Sequence, residues 1–245
     1  MDAEALHHLI LDYDVQLSTR LDNATKDMLR RRLRDACVIA SAAAGVPESA
    51  ITVLDRGDGA ILLFRADVPK QRVLGVWLGA FHDRLLHAYM RSTPRVQVRL
   101  AVHAGEVQPS GDGHVSPDID FVSRLVDAPE AKRILAAVPS AALALVVSEA
   151  IYRQVVRPAA ASLDPAAYVR IPVRVKETDE TAWLRLPGWA KVPVVGSGPG
   201  SETASEPPRG DQDAGGPAGG GVFNGPVGVV GQATGNTFHL GGGAR

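Results

Sequence analysis

Cysteine is nearly absent, neither sign of charge is in excess, and no long apolar run occurs among the 245 residues. Each of these shortages excludes a class of protein. The single thiol, Cys37, cannot form an intramolecular disulfide. It fits a reducing cytoplasm and reads as a buried, inert thiol within a helix-like run. Lysine and arginine number 26 against 27 acidic residues, a net charge of −1. That balance argues against a phosphate backbone as the main partner, so no nucleic acid is expected. No stretch approaches the ~18 to 20 apolar residues of a membrane span, and no basic segment followed by an apolar core opens the chain. Neither a membrane nor an export route is expected, and the cytoplasm is the expected location. What is present is 45% apolar and 22% charged residues. This suffices for a packed core in one large domain, or a domain with an appendage.

His8-Leu9-Ile10-Leu11-Asp12 is a short apolar run ending in a carboxylate, with Asp14 two residues on and on the same face if the strand continues. Asp22 or Asn23 can cap a helix to about Ala44, with Leu29, Leu33, Ala36, Cys37 and Ala40 on one stripe. Arg30, Arg31, Arg32 and Arg34 fall mostly on its solvated face, and Gly45-Val46-Pro47 ends it. A second helix is expected from Lys70 to Met90, burying Val73, Val76, Trp77, Ala80, Phe81 and Leu85. Residues 96–107 alternate as a sheet strand. His103 within it reads as a rim or interface residue, since no second histidine lies at ligand spacing. Asp118 to Leu135 reads as a third helical region, with Asp120 and Arg124 four apart on one face. A strand at 143–147, a short helix capped by Ser148, and two strands at 168–175 and 181–186 joined at Lys176 complete the folded part.

The stretch Asp55-Arg56-Gly57-Asp58-Gly59 separates the β-branched Ile51-Thr52-Val53 from the apolar run ending at Phe64, and so reads as a hairpin. Carboxylates at such a tip can hold a metal. They can equally be turn chemistry, because Asp and Gly suit turns for backbone reasons.

Four segments in this order resemble the class III nucleotide cyclase homology domain. They are Leu11-Asp12, Gly57-Asp58-Gly59, Arg99-Leu100-Ala101-Val102-His103-Ala104-Gly105-Glu106-Val107, and Ile119-Asp120-Phe121-Val122-Ser123-Arg124-Leu125, within residues 5 to 187. The resemblance implies an α+β, ferredoxin-like domain over residues 1–187, with helices packed on a central, mostly antiparallel sheet. It implies a homodimer that converts a purine nucleoside triphosphate to a cyclic nucleotide and pyrophosphate with two magnesium or manganese ions. By the same resemblance Asp12 and Asp58 are the metal ligands, and Arg124 with Asp120 serves the transition state. Lys176, Asp55, Gly57 and Gly59 contact the substrate. The chain departs from the family at three places. Asp120 stands where the family has asparagine, Leu54 where it has a purine-selecting lysine, and Val15-Gln16 where it has Gly-Phe after the first aspartate. A catalytically inactive nucleotide-binding or adaptor module is the alternative these departures leave open. A metal phosphodiesterase using Asp12, Asp58 and His103 lacks the histidine and carboxylate clusters such sites need.

Residues 188–221 are rich in Gly, Pro, Ser and acidic groups, too poor in apolar residues to offset chain entropy, and read as a disordered linker. Residues 222–241 then bring back apolar residues among Gly, Asn and Gln. They resemble bacterial amyloid signalling motifs similar to the RIP homotypic interaction motif, with Gly228 at the expected glutamine unless Gln232 serves. An uncharged segment of this kind can stack in register as cross-β and would recruit a partner bearing a like motif. A plain low-complexity tail is the other reading.

Overall fold

The computed structural model describes residues 4–16, 21–90, 96–110 and 113–193. The amyloid-type segment and the linker beyond residue 193 lie outside them. The strands are β1 (Leu6–Val15), β2 (Ile51–Asp55), β3 (Ala60–Arg65), β4 (Val98–Ser110), β5 (Gly113–Val115), β6 (Leu143–Ser148), β7 (Val169–Val175) and β8 (Thr178–Arg185). The helices are α1 (Asn23–Ala43), α2 (Lys70–Arg72), α3 (Leu78–Met90), α4 (Pro117–Val126), α5 (Pro129–Ala137), α6 (Glu149–Ile151) and α7 (Ala160–Leu163). The sheet runs β2-β3-β1-β4-β6-β8-β7, with β5 paired to the end of β4. Among the described strands only β4 and β6 pair in parallel. This is the α+β, mostly antiparallel architecture expected from the motif order.

Helices cover both faces of the sheet, so its inner strands are apolar on both sides. In β3, Ala60, Leu62 and Phe64 enter one core with α1 and α3, while Ile61 and Leu63 enter the other with α4 and α5. The first core is anchored by Trp77, which is fully buried, stacked on Phe81 at 5.0 Å and edge-on to Phe64 at 5.7 Å. Its indole Nε1 donates to Ser41 Oγ at 3.0 Å, which satisfies the one polar atom it carries inside. The second core continues past β8 through Leu186, Trp189 and Val192.

Local signals place the helices. Asp22 caps α1 by accepting from Thr25 N at 2.7 Å, and Gly45 follows the helix at φ +62°. Two details differ from the periodicity. The helical run 70–90 contains a π turn, Val73–Trp77, whose extra residue rotates the stripe. Val73, Leu74 and Trp77 therefore face inward and Val76 is 54% exposed, although it falls on the expected buried face. The region 118–135 is two helices, because Pro129 cannot continue the ladder and Ala128 before it is extended. No helix among the described residues is long and apolar enough to cross a membrane.

Candidate active site

The antiparallel pairing of β1 with β3 sets Tyr13 opposite Ala60 and Asp12 opposite Ile61, so the 56–59 turn lies against the C-terminal end of β1. The approach is close enough to dictate residue type. A Cβ on Gly59 would sit 2.0 Å from the Tyr13 carbonyl oxygen, and Gly57 holds φ +88°. Asp55 closes the turn by accepting from Gly57 N at 2.8 Å. Two of the arginines expected on the solvated face of α1 strap this hairpin down. Arg30 Nε donates to the Gly57 carbonyl, and Arg34 Nη2 meets Asp55 Oδ2 at 3.2 Å. Asp55, Gly57 and Gly59 thus shape the tip that presents Asp58.

Asp12 and Asp14 project from one face of β1, and α4 lies over that face. Asp12 is 6% exposed and accepts from Ser123 Oγ at 2.7 Å. Burial pushes its carboxyl up to about 6, against the Ser123 bond and the Arg56 charge, with Asp14 and Asp127 adding to the rise. Asp14 is also raised, first by burial; Arg99 opposes this, and Asp58 and Asp127 reinforce it. Asp14 pairs with Arg99 Nη2, its partner across the β1–β4 ladder. Asp58 therefore acts on Asp14, and Asp14 acts on Asp12. Asp12 and Asp14 on β1 and Asp58 on the β2–β3 turn lie toward one end of the sheet, with Asp127 at the C-cap of α4.

Their chemistry fits a hard divalent cation. Among the described residues no group of three or more His, Cys, Asp or Glu is placed to hold a metal ion by itself. A cation held here would complete its shell with substrate oxygens and water, which is how magnesium is usually bound by one or two carboxylates.

Arg124 lies elsewhere. Its Nη1 donates to Thr178 Oγ1 at 3.0 Å and its Nη2 to Glu177, at the β7–β8 hairpin. Lys176 forms the turn of that hairpin at φ +51°. Arg124 and Lys176 are thus brought to one place. Asp12 is held by Ser123 and Asp14 by Arg99, whereas Arg124 is held by Thr178 and Glu177. Asp120 is exposed in the first turn of α4, one turn before Arg124. Leu54, at the position of the family's purine lysine, packs against the second core.

Three residues that position the site, Asp118, Ser123 and Arg99, were given no role by the sequence. Asp118 Oδ2 accepts from Glu106 N at 2.9 Å and Oδ1 meets His103 Nε2 at 3.2 Å. The other His103 nitrogen reaches Ser148 Oγ at 3.0 Å, and its ring stands edge-on to Phe121. Burial lowers the proton affinity of His103, so the neutral ring ties α4 to β4 and β6. It is a residue of the interface between α4 and the sheet, because α4 crosses over it. Ser123 and Arg99 are the other two. Both stand within the quoted segments, yet their roles were not legible, since their partners lie 111 and 85 residues away.

No protein-family model matches this sequence, and no curated protein matches it. Solved structures do. The chain is similar to the guanylyl cyclase Cya2, at 14% identity and a TM-score of 0.53, covering 75% of this chain and 92% of that one. It is also similar to an adenylate/guanylate cyclase/hydrolase from Silicibacter pomeroyi, at 18% identity and a TM-score of 0.54, covering 76% and 99%. At such identities the likeness establishes a nucleotide cyclase-like fold.

Proposed function

We propose that this protein is a signalling protein whose domain is a divergent nucleotide cyclase, acting as a homodimer on a purine nucleoside triphosphate. The observation that carries the reading is the separation of two half-sites in one chain. Asp12 and Asp14 on β1 and Asp58 on the β2–β3 turn lie toward one end of the sheet, while Arg124 and Lys176 lie at the β7–β8 hairpin. A second copy supplies the missing half of each. Asp12 and Asp58, with Asp14 between them in charge coupling, would hold two magnesium or manganese ions, which supply activation of the ribose 3′ hydroxyl and charge neutralisation on pyrophosphate. Gly59 lets the hairpin close on β1 and Gly57 supplies its left-handed turn, Asp55 holds that turn closed, and the tip so shaped would meet the substrate. Lys176 holds the triphosphate. Arg124, once released from Glu177, faces the charge that builds on the α-phosphate as its bond to the 3′ oxygen forms and its bond to pyrophosphate breaks. Asp120 contributes an acceptor where an amide donor would serve better.

Incubating the full chain with ATP or GTP and manganese, followed by chromatographic separation, tests this. A cyclic nucleotide is expected, and Asp58→Ala is expected to lower its yield at least about a hundredfold. No cyclic product from the unaltered protein sinks the catalytic reading. The alternative, a nucleotide-binding adaptor without turnover, draws on Leu54, whose aliphatic side chain packs into the core at the purine-lysine position. Residues 222–241 would cluster either form through like motifs, raising the effective concentration for pairing.

A further inference from the structure

Arg99 is 5% exposed, and only one of its donors is well used. Nη2 binds Asp14. Nη1 stands 3.6 Å from Asp127 Oδ1, an ion-pair distance just beyond a hydrogen bond. Nε and Nη1 are both buried without a hydrogen-bond partner. Orphaned buried donors are costly and uncommon. A planar fork with one filled and one unfilled side, between two carboxylates, has two neighbouring arrangements rather than one. Moving Nη1 onto Asp127 takes well under 1 Å, given a normal bond near ~2.9 Å.

We infer that Arg99 is a resident counter-cation that occupies Asp14 until a divalent cation takes that carboxylate, whereupon the guanidinium closes on Asp127. The inference rests on the reading of Asp12 and Asp58 as cation ligands and adds to them Asp14, two residues from Asp12 on the same face of β1. Without a metal, gathered carboxylates repel one another, and a buried guanidinium offsets that repulsion. An arriving dication competes for the same oxygens and repels the guanidinium. Arg99 cannot retreat to water, because it sits mid-sheet beneath α4, so the nearest acceptor is the half-exposed Asp127. Asp127 is the C-cap of α4 and is shared with Lys132 Nζ at 2.8 Å on α5. The exchange therefore tightens the C-terminal end of the helix that carries Ser123 and Arg124. Cation loading at the carboxylates is in this way reported to the helix bearing the arginine for the other half-site.

Manganese binding by the EDTA-stripped full chain, followed through loss of the free-ion paramagnetic resonance signal, tests the exchange. Asp127→Asn is expected to weaken binding about tenfold, because Arg99 then has no alternative to Asp14; Arg99→Met is expected to tighten it. A loss of negative charge alone would also weaken binding, so the cycle decides. In the Arg99→Met background the Asp127→Asn effect is expected to fall to about twofold or less, and an undiminished effect overturns the exchange. Should Arg99→Met not fold, a crystal structure of the unaltered protein with manganese gives the answer. Nη1 to Asp127 Oδ1 is expected to shorten from 3.6 Å to hydrogen-bond length, and an unchanged Arg99–Asp14 pair with metal present overturns the proposal. No manganese binding by the unaltered protein overturns the exchange together with the cation-site reading. Binding that leaves Arg99 in place overturns the exchange alone.

Discussion

Replacing Asp12 with asparagine should change the pH dependence of stability more than stability itself. Burial pushes the native carboxyl up to about 6, from an ordinary value of 3.8. With a native value above the unfolded one, the native state keeps its proton as pH rises through the window from 3.8 to 6, while the unfolded chain loses it. Unfolding therefore becomes easier across that window. The difference is roughly two pH units at about 1.4 kcal/mol each, so about 3 kcal/mol of stability is lost between pH 4 and 7. Solvent screening takes little from this, since the side chain is 6% exposed. Asparagine keeps an oxygen to accept from Ser123 Oγ, and it does not ionise. Urea unfolding of both proteins in EDTA at pH 4.5, 5.5, 6.5 and 7.5 would reveal the difference. Asp14 titrates in both proteins and cancels to first order. The variant should be similar to the parent or slightly less stable at pH 4.5, and more stable by about 2 to 3 kcal/mol at pH 7.5. A difference that does not change with pH, or one that favours the parent at pH 7.5, would refute the burial argument for Asp12.

Trp77→Ala should cost about 3 to 5 kcal/mol in denaturant melts, because it empties the centre of the first core; a cost under about 1 kcal/mol would contradict the aromatic stack with Phe81. Gly105→Ala should displace Asp118, since a Cβ there would lie 2.1 Å from the carboxyl carbon. Losing the Glu106 N and His103 bonds should cost about 1 to 3 kcal/mol. It should also lower the His103 proton affinity further in an NMR titration, because the Asp118 charge and hydrogen bond both raise it. An unmoved His103 titration would show that Asp118 does not support the ring.

Much of the fold was legible because its signals are local. Asp22 as cap, Gly45 as stop, the alternating β4 and the Gly-Asp-Gly tip all act within a few residues. The two errors of detail share one cause. A π turn in the 70–90 run and a break before Pro129 alter helical phase or continuity while leaving the apolar composition unchanged.

The site divides along the same line. From the sequence alone, the order of motifs established the fold class and put Asp12, Asp58, Arg124 and Lys176 forward, because each stands in a short pattern tied to a strand end, a turn or a helix face. Only the tertiary structure decided which of them meet. Strand pairing put Arg99 against Asp14, crossing of α4 over β1 and β4 buried Asp12 under Ser123 and made His103 a strut, and the β7–β8 hairpin drew Arg124 away to Glu177 and Thr178. Proton affinities, competing partners and unfilled donors arise from burial and from charges distant in the chain. Spacing along the sequence does not encode those distances.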